Sequence, residues 1–155
     1  MSDVAPIPSD YPRVCPYLCV DAAAAAIDFY VTVLGATERM RLAGPDGRIG
    51  HAELLFGESV VMIADEAPQI GVLGPASVGG TPVTLSLYVE DVDATFERAL
   101  AAGATSRRPP ADQFYGDRSG QLVDPFGHRW NLATRVENVP PEEMANRLAA
   151  MGDGG

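Results

Sequence analysis

Two stretches of this chain carry the same order of hydrophobic and polar positions, 69 residues apart (Val20 and Val89). In each stretch, an alternating apolar run ends in that valine, which predicts a half-buried strand. A run with apolar residues three and four apart follows and ends before a glycine, Gly35 or Gly103, which is typical of a helix and its C-terminus. Three further β-rich runs complete each stretch. The pattern therefore predicts an internal repeat of a β-α-β-β-β unit.

The predicted elements follow from these periods and from the turn residues between them. The first copy is predicted as strand 13–20, helix 22–34, and strands 37–42, 49–55 and 59–64. The second copy is predicted as strand 83–89, helix 91–102, and strands 105–107, 116–123 and 128–133. Asp21 is the predicted N-cap of the first helix, because aspartate accepts hydrogen bonds from free backbone N–H groups.

The fold class predicted from these elements is α+β. Two tandem modules, residues 13–65 and 82–134, are expected to form a curved mixed sheet with a cleft, within one domain of residues 1–138. Residues 66–81 are a linker rich in glycine and proline. Residues 139–155 are predicted as a short helix starting at Pro140 or Pro141, followed by a disordered tail from Gly152.

Charge and cysteine usage narrow the classes of function. The net charge of −10 repels nucleic acid and anionic membrane surfaces, so neither is expected as a partner. The chain has no apolar run near 20 residues, and its first residues lack the features of a signal peptide, which favours a cytoplasmic location. Cys15 and Cys19 lie four positions apart on one predicted strand, about 13 Å apart, which is too far for a disulfide.

Strand alternation also assigns side chains to the core or to the cleft. The set predicted to face the helices comprises Val14, Pro16, Leu18, Val20, Val83, Leu85, Leu87 and Val89. The set predicted to face the cleft comprises Cys15, Tyr17, Cys19, Thr84, Ser86, Tyr88 and Asn131. Ala52 and Leu54 are expected in the core, which places His51 and Glu53 on the cleft side of the same strand.

The chain resembles the vicinal oxygen chelate superfamily, which includes glyoxalase I, extradiol dioxygenases and bleomycin-resistance proteins, and it is especially similar to the PhnB-like branch. The resemblance covers residues 12 to about 134 and rests on five segments: 28–30 with 34–36, 50–54, 88–93, 113–120 and 124–130. It implies a homodimer and a small-molecule ligand. Because this fold supports isomerases, oxygenases, lyases and plain binding proteins, the resemblance is specific for fold and not for activity.

The resemblance also implies where a metal site would lie. The superfamily's ligand positions correspond here to Cys15, Thr84 and Asn131, with a fourth at Val61 or, if the turn differs by one residue, at Met62. Divalent hard ions prefer carboxylate and imidazole ligands, so this set does not form the usual metal site. No cofactor is therefore predicted, and a divalent metal is expected only if an unusual site exists.

His51 and Glu53 are the candidate catalytic residues. They could act as a base and its partner or as two metal ligands, or they could hydrogen-bond neighbouring strands in a polar cleft. Tyr17 and Tyr88 could flank a ligand or pack in the core. Cys15 and Cys19 are interpreted as small side chains of the cleft or core, since nothing in the sequence indicates a lowered thiol pKa.

The segment 114–118 contains two further candidates for ligand binding, Tyr115 and Arg118. Arg118 could bind an anion while Tyr115 stacks on a ligand; alternatively, Asp117 and Arg118 pair with each other or across a dimer. His128 is expected to close a turn. Two functions remain: a metal-free protein that binds or sequesters a small molecule, and a glyoxalase-like lyase or isomerase with a site around His51 and Glu53.

Overall fold

The computed structural model describes residues 3–152 and divides the chain into two compact units that meet in sequence between Gly80 and Thr81. In chain order, the first unit contains β1 (Tyr17–Val20), α1 (Ala23–Thr32), β2 (Thr37–Ala43), β3 (Ile49–Phe56) and β4 (Ser59–Asp65). Its sheet has the order β1-β4-β3-β2, in which β1 and β4 are parallel and the other pairs antiparallel. A 3₁₀ turn (Pro68–Ile70) and the short helix α2 (Pro75–Val78) occupy the predicted linker.

The second unit contains β5 (Thr84–Tyr88), α3 (Val92–Ala101), β6 (Thr105–Asp112), β7 (Asp117–Val123), β8 (Arg129–Arg135) and α4 (Pro141–Gly152). Its sheet has the order β5-β8-β7-β6, with the same pattern of one parallel and two antiparallel pairs. The predicted α+β class, the repeat of two βαβββ modules and the C-terminal helix are therefore confirmed. The single domain of residues 1–138 stays a prediction, and the tail from residue 153 lies outside the described residues.

Each helix packs on one face of its own sheet. In the first module, the cross-strand partners Leu18, Ile63 and Ala52 are at most 5% exposed. The buried residues of α1 are Ala23, Ala26, Ile27, Phe29 and Tyr30. In the second module, Gly120 takes the place of Ala52, and an added Cβ there would come within 3.1 Å of the Phe96 ring and of strand β6 backbone. Small residues at this position therefore allow the close approach of helix and sheet.

A side chain from the last strand of each module accepts a hydrogen bond at the N-terminus of the module's long helix, which is α1 in the first module and α3 in the second. The carboxylate of Asp65 accepts hydrogen bonds from the backbone N–H of Ala23 (2.9 Å) and of Ile49 (2.7 Å). At the equivalent position 69 residues later, the Thr134 hydroxyl accepts one from Val92 N–H (3.0 Å). The predicted N-cap Asp21 is wrong, because the cap position falls on Ala22, whose side chain makes no cap hydrogen bond.

Strand β1 is shorter than predicted. It begins at Tyr17, and Val14, which was assigned to the core, is 83% exposed. Pro16 lacks an N–H group and cannot donate to a strand ladder, so the segment before it follows a different path. The thiol of Cys15 donates to the Pro12 carbonyl at 3.3 Å, and within residues 3–152 neither Cys15 nor Cys19 forms a disulfide.

Strand β6 is longer than predicted and continues through Pro109 and Pro110 to Asp112. It lies at the edge of its sheet, where a residue without an N–H group is tolerated. The pairing register with β7 shifts between Arg108 and Ala111, which is consistent with a local bulge at the two prolines.

We expect Asp65→Ala to lower the free energy of unfolding by about 1–2 kcal/mol, because it removes a cap and leaves two backbone N–H groups without their acceptor. Urea denaturation at neutral pH measures this change. Asp21→Ala is the matched control and should change stability by less than about 0.5 kcal/mol. Equal losses in the two variants would contradict the assignment of the cap.

Candidate functional site

A polar cluster lies on the open face of the first sheet, defined as the face opposite α1. His51 and Glu53 project to this face from β3, while Ala52 and Leu54 between and beyond them are fully buried on the helix side. The predicted facing of this strand is therefore confirmed. Register places Tyr17 beside Met62 and Met62 beside Glu53, so β1, β4 and β3 all contribute to the open face.

The Glu53 carboxylate is the centre of the cluster. Its side chain is 3% exposed, and both oxygens accept hydrogen bonds. The Tyr11 hydroxyl lies 2.8 Å and 3.0 Å from the two oxygens. The Arg39 guanidinium donates twice to Oε1, at 2.7 Å and 3.1 Å, and also lies 4.4 Å from the centre of the Tyr11 ring. His51 Nε2 is 2.9 Å from Oε2.

These contacts keep Glu53 ionised. Burial alone would raise the pKa of the carboxyl group, but the hydrogen bonds from His51, Arg39 and Tyr11 outweigh it and lower the pKa to about 2. A carboxylate with so low a pKa is a weak base at neutral pH. Its role is to hold its partners in place.

The partners of His51 fix its tautomer. Nε2 faces the Glu53 carboxylate, which only accepts, so Nε2 carries the proton and donates it. Nδ1 is then the acceptor for the Tyr17 hydroxyl, which lies 2.6 Å away. This tautomer is assigned from the hydrogen-bond partners. The result is a continuous chain in which a phenol donates to an imidazole and the imidazole donates to a carboxylate.

A pocket of about 480 Å³ lies between the N-terminal segment and this sheet. Its walls are mostly apolar, and the lining residues are Pro6, Ile7, Pro8, Tyr11, Pro12, Arg13, Cys15 and Met62. Tyr11 belongs to both the pocket and the cluster, and Met62 lies between Tyr17 and Glu53 on the sheet. The volume is within the range of small-molecule sites, and the pocket is largely open to solvent.

The pairing register decides which residue of β4 matches Asn131. Asn131 pairs with Ser86 and Gln121, as Met62 pairs with Tyr17 and Glu53. Met62 is therefore the equivalent residue, while Val61, on the adjacent position, is 6% exposed and faces α1. On the positions that the resemblance implies, the superfamily's metal ligands would correspond to Cys15 and Met62 in the first module and to Thr84 and Asn131 in the second.

These residues do not fit a hard divalent ion. A thiol and a thioether are soft ligands, and neutral hydroxyl and amide groups bind such ions weakly. Within residues 3–152, no three His, Cys, Asp or Glu side chains are grouped so that they could hold a metal ion.

The candidates of the second module form separate contacts. Asn131 donates to the Ser86 hydroxyl at 3.2 Å, and Thr84 and Ser86 are exposed. The Tyr88 hydroxyl donates to Asp117 at 2.8 Å, and Arg135 pairs with the same carboxylate at 2.7 Å. Tyr88 therefore lies outside the core, in a phenol–carboxylate–guanidinium contact.

Asp117 and Arg118 do not pair with each other, and a pairing across a dimer stays a prediction. Adjacent positions on a strand face opposite ways. Arg118 points to the helix side and pairs with Asp93 (2.9 Å) and Asp112 (3.2 Å). The Tyr115 ring contacts the edge of Phe114, with centroids 5.2 Å apart.

The two remaining predictions concern Cys19 and His128. Burial, together with the nearby Glu66 and Asp65 carboxylates, raises the pKa of the Cys19 thiol, which disfavours a thiolate nucleophile. The backbone N–H of His128 donates to Asp124 at 3.0 Å, which agrees with a role in closing the turn.

Sequence reasoning missed Tyr11 and Arg39. Arg39 is on β2, which pairs with β3, so strand pairing alone could have suggested it as a partner of Glu53. Tyr11 lies before the first element and 42 residues from Glu53, and no periodicity marks it.

A βαβββ repeat with a pocket and a polar cluster on one sheet face defines a small-molecule fold of the glyoxalase type. The sequence profile of the Glyoxalase/Bleomycin resistance protein/Dioxygenase superfamily matches residues 12–132, and the chain belongs to this superfamily. An uncharacterized protein of Mycobacterium bovis is 47% identical over 146 residues, which are 92% of this chain and 96% of that protein.

Solved structures agree with the fold. TioX from Micromonospora sp. ML1 is 29% identical, with a TM-score of 0.62 over 81% of this chain and 99% of that one. The PhnB protein from Bacillus cereus has a TM-score of 0.63 at 17% identity, covering 79% of this chain and 99% of that one, and supports the fold alone. In the described part of the chain, no helix is both long enough and apolar enough to cross a membrane.

We expect Glu53→Gln to lower the free energy of unfolding at pH 7 by about 2 kcal/mol, since Arg39 loses its buried partner. The folded-state pKa of about 2 lies below the ordinary 4.5, so the carboxylate stabilises the fold above pH 4.5 and loses this effect as pH falls towards 2. The gap between wild type and variant should therefore narrow over that range. Urea midpoints measured from pH 7 to pH 2 test this.

Glu58→Gln is the control for this titration, because Glu58 is exposed in a turn and should change stability little at any pH. A gap between wild type and Glu53→Gln that stays constant across the range would contradict the assigned ionisation.

Proposed function

We propose that this protein binds or sequesters an apolar small molecule, without the metal site usual in the superfamily. The observation that carries the proposal is the pocket between the N-terminal segment and the first sheet. Two positions at which the superfamily would place metal ligands, Cys15 and Met62, form part of an apolar wall instead. The nearby carboxylate, Glu53, already has a full set of donors and is not available to a metal or a ligand.

We also propose a cytoplasmic location, because Cys15 and Cys19 form no disulfide within residues 3–152, which is consistent with a reducing compartment. We propose a homodimer on the resemblance to the superfamily alone.

The binding proposal is tested by placing a charge on the pocket wall. A thermal-shift screen of planar aromatic compounds identifies a ligand, and titration calorimetry then measures its Kd. Met62→Lys should weaken binding at least tenfold, since it replaces about 1.4 kcal/mol or more of apolar contact with a solvated ammonium group. Met151→Lys, on the exposed surface of α4, should leave Kd unchanged. Equal affinities for wild type and Met62→Lys would contradict the pocket as the binding site.

A second candidate function is favoured by the chain from Tyr17 through His51 to Glu53. The Tyr17 proton is directed at Nδ1, so the lone pairs of its oxygen remain open to a ligand, and the residue is 53% exposed. In a lyase or isomerase, the oxygen would take a proton from the substrate while the phenol proton passes to Nδ1. The resulting imidazolium would be stabilised by the Glu53 anion. A site of this kind needs no metal.

If the protein is such an enzyme, Tyr17→Phe and His51→Ala should each lower kcat at least a hundredfold, because either change breaks the proton path. Turnover of the adduct of methylglyoxal with a thiol, followed by NMR, is the measurement. Tyr88→Phe in the second module is the matched control and should retain activity. Turnover that survives both Tyr17→Phe and His51→Ala would exclude this path.

A further inference from the structure

Arg13 is the one formally charged residue in the lining of the pocket. Its guanidinium is exposed, and within residues 3–152 it has neither an ion-pair partner nor a hydrogen-bond partner. The other polar groups of the lining are engaged: the Tyr11 hydroxyl donates to Glu53, and the Cys15 thiol donates to a backbone carbonyl.

The chain has 21 acidic residues against 11 basic ones, so carboxylate acceptors are plentiful. Within residues 3–152, six arginines form ion pairs with carboxylates, and these are Arg39, Arg41, Arg48, Arg118, Arg135 and Arg147. Arg13 is one of the five arginines without such a partner, and it is the one of these five that lines the pocket. Glu53, which accepts a hydrogen bond from Tyr11 of the lining, already has its charge matched by Arg39 at 2.7 Å.

We propose that the ligand of this pocket is an apolar carboxylic acid. The inference rests on the proposed binding function and adds the class of ligand to it. The apolar body lies against Met62 and the proline-rich wall, and the carboxylate meets the guanidinium of Arg13. A planar guanidinium offers two parallel N–H donors to a carboxylate, which gives geometric selection as well as attraction. Neutral compounds of the same shape gain the apolar contact alone.

The matched pair 2-naphthoate and 2-naphthamide tests the charge at nearly constant shape. Calorimetry on the full chain should show that the acid binds about fivefold more tightly than the amide, the ratio expected for one partly exposed ion pair. Added KCl should weaken binding of the acid and leave the amide unchanged, because salt screens only the charged contact.

Variants assign this preference to one residue. Arg13→Gln should lower the affinity for the acid to that for the amide and leave the affinity for the amide unchanged. Arg13→Lys should restore part of the difference in affinity between the two probes. Arg107→Gln should have no effect, because Arg107 is an exposed arginine of the second module with no ion-pair partner within residues 3–152. Thermal melting of each variant checks that the fold is retained, which is expected for a substitution at an exposed position.

The outcomes separate this inference from the function on which it rests. If both probes bind equally and Arg13→Gln alters neither, the ligand class is wrong while the pocket stands, provided that Met62→Lys weakens binding of the neutral amide. If neither probe binds wild type, or if Met62→Lys leaves the affinity of the amide unchanged, the pocket and the ligand class are both overturned.

Discussion

The buried charge of Glu53 is the constraint on which the first module's site depends. A carboxylate that is 3% exposed would be costly unless every lone pair had a partner. Its donors come from three segments: Tyr11 before the sheet, Arg39 on β2 and His51 on β3. Arg39 also donates to the Asp10 carbonyl at 3.2 Å, so the same charge holds the N-terminal segment that forms one side of the pocket. The pocket therefore owes its shape to an ion pair rather than to apolar packing alone.

The repeat makes it possible to see what this charge changes. Equivalent open-face positions in the two modules hold Tyr17 and Ser86, Met62 and Asn131, and Glu53 and Gln121. The second module has a neutral amide where the first has a buried anion, and one of its buried carboxylates, Asp117, lies elsewhere on β7 with Tyr88 and Arg135. Two modules with one topology thus present different chemistry, because strand order fixes positions and not residue types.

Local periodicity accounts for what the sequence could predict. Alternation along β3 placed His51 and Glu53 on one face, and the 69-residue repeat implied the same strand order in both modules. The errors concern contacts between distant residues. Asp65 caps a helix that begins 42 positions earlier. The local candidate, Asp21, has a carboxylate that could accept a capping hydrogen bond, but the cap position falls on Ala22. Tyr11 is equally distant from Glu53, and no spacing rule connects them.

The proposed binding function and the proposed catalytic function differ in the role of the Tyr17 hydroxyl towards a ligand. Met62 is part of the pocket wall and is the strand partner of Tyr17, whose own side chain does not line the pocket. Burial raises the pKa of Tyr17, with further contributions from Cys19 and Glu53, so the phenol remains protonated at neutral pH. It therefore acts as a hydrogen-bonding group towards a ligand unless the ligand itself supplies an acidic proton. An acid held by Arg13 arrives already ionised and has no such proton at its carboxylate. The observations at Arg13 thus favour a binding role for this pocket. The proton path from Tyr17 to His51 would operate only on a ligand that carries an acidic C–H or O–H group.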